Sequence, residues 1–357
     1  MGVHEAQLRP QSVSTQNLIE AYYTICPVFV ASNIAVELGW LDEEFKRAGA
    51  KATYLRSLSD NVGWIPHYRH SIDSLFRDGG AIPTIWAKAD LADTTLIATT
   101  FAQTGGQILV SAGSNIRRVA DLRGQRIGLV RSNNAEKIDF ARASAEHSVL
   151  LALRLAGLNE NDVQIVYLDD PDARSFQPAS RPVELWSQYN LPRATDTLDI
   201  QALQEGRIDA IHANAGRAKT LVASGACTVI ENLADHPDWT LQLANGPYTT
   251  AVNTDFAKAH PEVIVAFLRA AIRAGRWVNA NQQAAAEIFA RVTTYRDPAL
   301  IAQLIASYDF VPTLSAKNLA GLTLLKDFLR ERGYVKADFS ITDWADTRYL
   351  NEALRSL

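Results

Sequence analysis

The sequence predicts an α/β protein of two lobes, each a sheet flanked by helices. Strand-like apolar runs alternate with segments of helical period along most of the chain, the pattern of largely parallel sheets covered by helices. The 357 residues are enough for two such units. Glycine turns divide the segments at short intervals.

In order, the first strand is read over 18–23, and Pro27 then breaks the chain. Residues 28–38 repeat apolar positions at helical spacing and Gly39 caps them, with a short turn at 40–45. Residues 52–55 form a second strand, 82–86 and 94–98 continue the alternation, and 107–110 precede the turn Ser111-Ala112-Gly113-Ser114. Between them, His67-Tyr68-Arg69-His70 reads as loop and 71–76 as helix. Residues 119–122 form a short helix, Gly124 a turn, and the strand to Val130 ends in polar Ser132-Asn133-Asn134. A helix at 141–156 closes on Gly157, and 163–168 is a strand. Residues 169–197 are irregular, and a loop of that length is functional or mobile. Its Phe176, Trp186 and Tyr189 either form an aromatic lid or anchor the loop. A helix at 200–205, a buried strand at 208–211 and a returning strand at 248–252 follow. Residues 261–290 are a long helix or helix pair, and the tail is mainly helical.

Hydrophobic residues make up 47% and charged residues 21%, as in a soluble globular protein. A net charge of −4 without a basic run gives no footprint for nucleic acid. No apolar stretch is long enough for a membrane span, and the first ten residues lack the basic and apolar regions of an export signal. Two cysteines, Cys26 and Cys227, are no disulfide framework in so long a chain. The expectation is a cytoplasmic monomer with a small-molecule partner. His147, His212, His236 and His260 lack metal-ligand spacing, and no Gly-Lys-Ser/Thr follows Gly105-Gly106 or Gly124, so neither metal nor other cofactor is expected.

The chemistry-bearing residues gather early. Cys26 lies in Tyr23-Thr24-Ile25-Cys26-Pro27, just past the first strand, and a helix at 28–38 would put its sulfur near a positive helix end. His67 can orient a thiol and move its proton. Arg77 offers a planar fork to an oxyanion, and Gly79-Gly80 let backbone N–H groups approach it closely. Each has a plainer reading. Cys26 can be a small core residue, His67 a surface histidine with His70 as its rival, Arg77 a solvated charge, and Gly79-Gly80 a tight turn. Cys227 opens an apolar strand and reads as core.

Asp121-Leu122-Arg123-Gly124-Gln125-Arg126-Ile127-Gly128, Gln204-Glu205-Gly206-Arg207-Ile208-Asp209-Ala210 and 253–263 resemble the periplasmic binding proteins for sulfonate, taurine and nitrate. That resemblance implies a periplasmic-binding-protein type II fold, with residues 1–112 and 250–357 in one lobe and 113–249 in the other. The chain would cross between lobes near 111–114 and 249–253. A narrower resemblance is to the aromatic sulfinate desulfinases of dibenzothiophene desulfurisation, the 2'-hydroxybiphenyl-2-sulfinate desulfinases. It rests on Tyr23-Thr24-Ile25-Cys26-Pro27, on His67 ten residues before Arg77, on Gly79-Gly80-Ala81-Ile82-Pro83, and on Ile341-Thr342-Asp343-Trp344-Ala345. It implies Cys26, His67 and Arg77 as catalytic residues and Thr24, Tyr68, Gly79 and Gly80 as substrate contacts. The activity implied is C–S bond hydrolysis that releases sulfite from an aryl sulfinate. Ile25, Tyr68 and Ile72 replace an Asn, a Phe and a Gln of that family, so the substrate can differ. The other classes are a non-enzymatic solute-binding protein for a sulfonate, taurine or related anion, and a thiamine-pyrimidine synthase-like enzyme. The last expects a cysteine-rich metal motif that the chain does not carry.

Overall fold

A computed structural model describes residues 18–59, 64–100, 106–172, 176–188, 193–243 and 246–357. Its strands are β1 (Ile19–Ile25), β2 (Ala50–Tyr54), β3 (Leu75–Gly79), β4 (Thr94–Thr100), β5 (Gly106–Ser111), β6 (Arg126–Ser132), β7 (Gln164–Asp170), β8 (Ala210–Asn214), β9 (Cys227–Asn232) and β10 (Tyr248–Asn253). They form two sheets, ordered β2-β1-β3-β10-β4 and β7-β6-β8-β5-β9. In the first, β2, β1 and β3 run parallel, and β10 returns antiparallel between β3 and β4. In the second, β7, β6 and β8 are parallel and β5 and β9 antiparallel. This is the two-lobed α/β architecture expected from the alternation of segments.

The middle of the first sheet is covered on both faces, which is why every residue of β3 is buried. On one face, Phe76 lies parallel to Phe267 at 4.7 Å, with Phe45 at 5.7 Å. Phe267 belongs to the helix Pro261–Ala280, whose apolar residues (among them Ile264, Phe267, Leu268 and Ala271) face the core, while Arg269 and Arg273 reach Glu44 and Glu43 at its edge. Removing the Phe267 ring would cost about 3–5 kcal/mol by leaving a cavity. The C-terminal segment is tied to the same lobe. Trp344 Nε1 donates to Thr94 Oγ1 at 3.1 Å, and the Tyr349 hydroxyl to the Ala257 carbonyl at 2.9 Å.

Several local expectations are corrected. Residues 82–86 lie in a helix, Ala81–Asp90, not a strand. Their β-branched residues suggested extension, but Pro83 sits in the first turn, where a missing N–H costs nothing. Residues 71–76 are not helical, since 75–79 form β3, and His67 lies on a helix, Trp64–Arg69. The helix expected over 28–38 is shorter, Ala31–Glu37. The pair at 261–290 is Pro261–Ala280 followed by Gln282–Val292. β5 belongs to the second sheet, although the range 1–112 assigned it to the first lobe, and β10 is already in the first sheet from Tyr248.

Within the irregular 169–197 stretch, Tyr189 lies outside the described residues. The helix Pro182–Gln188 and Phe176 dock on the first lobe. Leu185 and Trp186 join its core, Trp186 accepts from Arg296 at 2.5 Å, and Phe176 meets the Trp64 ring at 4.7 Å. Packing of that kind is the anchoring alternative for these aromatics.

Candidate active site

β1 and β3 are neighbours with Thr24 opposite Arg77 and Ile25 opposite Asp78. That register brings the residue after β1, Cys26, to the end of β3. The Cys26 amide donates to the Asp78 carbonyl at 2.9 Å. The site therefore forms at the carboxyl ends of adjacent parallel strands, where open α/β sheets hold ligands.

Gly79 makes the close approach possible. A β-carbon there would lie 2.4 Å from both Cβ and Sγ of Cys26, and its φ of +143° is one that L side chains rarely adopt. The Cys26 carbonyl is held by Asn33 Nδ2 at 3.2 Å, the same nitrogen donating to the Val28 carbonyl at 3.0 Å. Four residues separate Cys26 from the helix Ala31–Glu37, so the sulfur does not sit on that helix end. The cation facing it is Arg77, whose Nη2 donates to Sγ at 3.5 Å.

His67 Nε2 lies 3.6 Å from Sγ, and Nδ1 is 2.7 Å from Thr24 Oγ1. Burial holds the imidazole well below its ordinary pKa, with the charges of Arg77, Arg56 and His70 acting in the same direction. His67 is therefore neutral near pH 7. His70, its rival in the sequence, faces elsewhere. It is buried, donates Nε2–H to the Leu75 carbonyl at 2.9 Å, and takes a left-handed backbone with φ 55° to turn the chain into β3.

Arg77 is 0% exposed, so it is not a solvated charge. Its Nε donates to the His67 carbonyl and its Nη1 to the Gly80 carbonyl, each at 2.9 Å. With the contact to sulfur, three of its five N–H groups are engaged among the described residues. One on each terminal nitrogen remains for an oxyanion. Gly80 begins the helix Ala81–Asp90. Asp78, on the opposite face of β3 from Arg77, accepts from the Ser32 hydroxyl at 2.5 Å; burial pushes its carboxyl up to about 6, against the lowering by its hydrogen bonds and Arg77.

Tyr68 is buried, its hydroxyl pushed well above the usual range by burial, with its ring edge-on to His67 at 4.9 Å. The second lobe closes on this ring. Phe140 stacks on it at 6.1 Å, and Lys137 Nζ lies 5.3 Å from its centre. Lys137 forms a buried ion pair with Asp172 at 2.5 Å, and Ser132 Oγ also donates to Asp172. Arg69 bridges the lobes by donating to the Glu136 carbonyl at 2.6 Å. The structure thus brings Thr24, Cys26, His67, Tyr68, Arg77, Gly79 and Gly80 together. Sequence reasoning missed Arg56, Trp64, Lys137 and Asp172. For Arg56 a signal existed, since it follows directly on a strand end beside the one that carries Cys26.

No family model matches the chain. It is 37% identical over 114 residues to an aliphatic sulfonates-binding protein of Escherichia coli (strain K12). That match covers 31% of this chain and spans about a third, 32%, of the relative's length. Among solved structures it is similar to the desulfurization enzyme DSZB, with a TM-score of 0.73 and 21% identity over 95% of this chain and 99% of that one. A second structure of DSZB, a cysteine-to-serine variant in complex with biphenyl-2-sulfinic acid, gives 0.70 and 20% over the same shares. The periplasmic aliphatic sulphonate binding protein of Escherichia coli gives 0.63 and 18%, over 90% of each chain. The fold is the one these proteins share, the periplasmic-binding-protein type.

These likenesses also correct one expectation. The sequence reading placed the protein in the cytoplasm. The similar sulphonate- and nitrate-binding proteins are periplasmic, which overturns that assignment.

Proposed function

We propose that the protein is an aromatic sulfinate desulfinase, which hydrolyses the C–S bond of an aryl sulfinate to an arene and sulfite. The single observation that carries this reading is Cys26 Sγ held 3.6 Å from a neutral imidazole and 3.5 Å from a buried guanidinium. A half-buried thiol beside a base and a cation is the arrangement of an activated nucleophile. The two remaining N–H groups of Arg77 take sulfinate oxygens, and the rings of Trp64 and Tyr68 flank the arene.

Two routes begin from this contact. In one, the Cys26 thiol protonates the ipso carbon and the C–S bonding pair becomes the new C–H bond. Sulfur leaves as SO2, which hydrates to bisulfite, and the thiolate regains its proton from water through His67. In the other, the Cys26 thiolate attacks sulfur and expels the aryl group, which takes a proton from water by way of His67. Water then attacks the resulting Cys26–S–SO2⁻, giving bisulfite and the thiol. Thr24 positions His67 in both. Trapping a Cys26 adduct heavier by SO2 in the mass spectrum selects the second route.

The second reading, a non-catalytic binding protein for a sulfonate, is favoured by the 37% identity to the Escherichia coli aliphatic sulfonates-binding protein. Sulfite assays separate the two. Steady sulfite release from 2-(2-hydroxyphenyl)benzenesulfinate supports the desulfinase. Tight sulfonate binding with no sulfite from any aryl sulfinate sinks it.

A further inference from the structure

Cys26 is carried by a loop, residues 26–30, between β1 and the helix Ala31–Glu37. A loop by itself gives a side chain no fixed direction, yet Sγ faces an imidazole and a guanidinium at once. Asp78 of β3 holds the loop at both ends. Its carbonyl accepts from the Cys26 amide at 2.9 Å, and its carboxylate accepts from the hydroxyl of Ser32, in the first turn of that helix, at 2.5 Å. Asn33 spans the interval. Its Nδ2 donates to the Cys26 carbonyl at 3.2 Å and to the Val28 carbonyl at 3.0 Å, one for each of its two N–H groups. The backbone tightens in the same sense, with the Val28 amide on the Cys26 carbonyl at 2.7 Å and the Val30 amide on the Val28 carbonyl at 3.0 Å.

Ser32, Asn33 and Asp78 are 1%, 0% and 4% exposed, and burying polar side chains costs desolvation that apolar residues would not. Asn33 Oδ1 is buried with no hydrogen-bond partner among the described residues, so the amide serves through its donors. Asn33 bonds the backbone around Cys26, and Ser32 bonds the residue that receives the Cys26 amide. A misplacement of about 1 Å at a reacting group can cost on the order of a hundredfold in rate.

We propose that Ser32, Asn33 and Asp78 are positioning residues for Cys26, a polar clamp on its loop that keeps the sulfur between His67 and Arg77. This rests on the reading of Cys26 as the reacting group and names the side chains that hold it in place.

Two measurements on the whole chain test it without turnover. The rate at which iodoacetamide alkylates Cys26, followed by mass spectrometry of the Cys26 peptide, reads the thiol. Calorimetric titration with benzenesulfonate reads the anion site. Asn33→Leu, and Ser32→Ala as the milder change, should each slow alkylation about fivefold or more, because a displaced sulfur loses the base and cation that make it a nucleophile. Benzenesulfonate affinity should change by less than about threefold, since Arg77 is fixed by the His67 and Gly80 carbonyls and not by the clamp. Asp78→Asn still offers Ser32 an acceptor and should be alkylated faster than Ser32→Ala. A wild-type alkylation rate in Ser32→Ala or in a folded Asn33→Leu overturns the proposal, as does a parallel loss of alkylation and benzenesulfonate binding. A protein that releases no sulfite loses the desulfinase reading, and the alkylation series still decides this one.

Discussion

The chain's two cysteines occupy opposite surroundings. Cys227 opens β9 in the second lobe, 3% exposed in an apolar cluster with Leu109, Ile211 and Leu221, and burial pushes its thiol up. Cys26 is half-buried, follows a strand end, and faces an imidazole and a guanidinium. Cysteine itself is the same in both places. What differs is that β3, the middle strand of the first sheet, spends its last residues on Arg77, Asp78 and Gly79, whereas β8, the middle strand of the second, runs Ala210-Ile211-His212-Ala213. Among the described residues, the strand beside Cys26 brings a buried guanidinium, Arg77, to its sulfur, whereas β5, the strand beside Cys227, runs Gly106-Gln107-Ile108-Leu109-Val110-Ser111 and carries no charged side chain.

The contrast can be broken most severely at Arg77. Arg77→Met leaves the His67 and Gly80 carbonyls without their donor, which should cost about 3–5 kcal/mol in urea unfolding and about 10³-fold or more in kcat/KM. Arg77→Lys should recover stability more than rate, because the planar fork is lost. An Arg77→Met protein with wild-type turnover would show that the cation is only structural.

Next comes Gly79→Ala, in which the new methyl group collides with Cys26 at a strained backbone angle. A loss of about 2–3 kcal/mol and at least tenfold in turnover is expected, whereas Gly225→Ala, in the turn before β9, should leave turnover unchanged.

Acid should weaken both lobes. Burial holds His70 in the first and His147 in the second down to about 4. A histidine whose folded pKa is depressed contributes stability above its unfolded value of about 6.5 and loses it as the pH falls toward 4. Between pH 7 and 5 each should cost about 2 kcal/mol. Asp78, raised to about 6, runs the other way, since its protonation on the same descent returns about 1 kcal/mol. A melting temperature that is flat from pH 7 to 5 would contradict this account.

The mildest change is Thr24→Val, which removes the oxygen beside His67 Nδ1. It should lower kcat about tenfold with KM nearly constant, and Thr24→Ser should restore it.

Much of the fold was legible because alternation of strand and helix is a local signal, as at 94–98, 107–110, 163–168 and 248–252. The centre of the first sheet was not. Leu75-Phe76-Arg77-Asp78-Gly79 carries two charges and a glycine in five residues, which reads as a surface turn, and only tertiary burial against Phe267 and Ser32 makes it a strand. The spacing of Cys26, His67 and Arg77 was visible, but their meeting depends on the register of β1 with β3, which no local pattern encodes. Lys137 and Asp172 were hidden for the same reason, since their ion pair joins distant parts of the chain.

The central claim, that the first cysteine reacts and the second only packs, is tested most directly by measuring sulfite release from one aryl sulfinate with Cys26→Ser and Cys227→Ser in parallel. This account predicts no turnover from the former and near-wild-type turnover from the latter. Undiminished sulfite release by Cys26→Ser would contradict it.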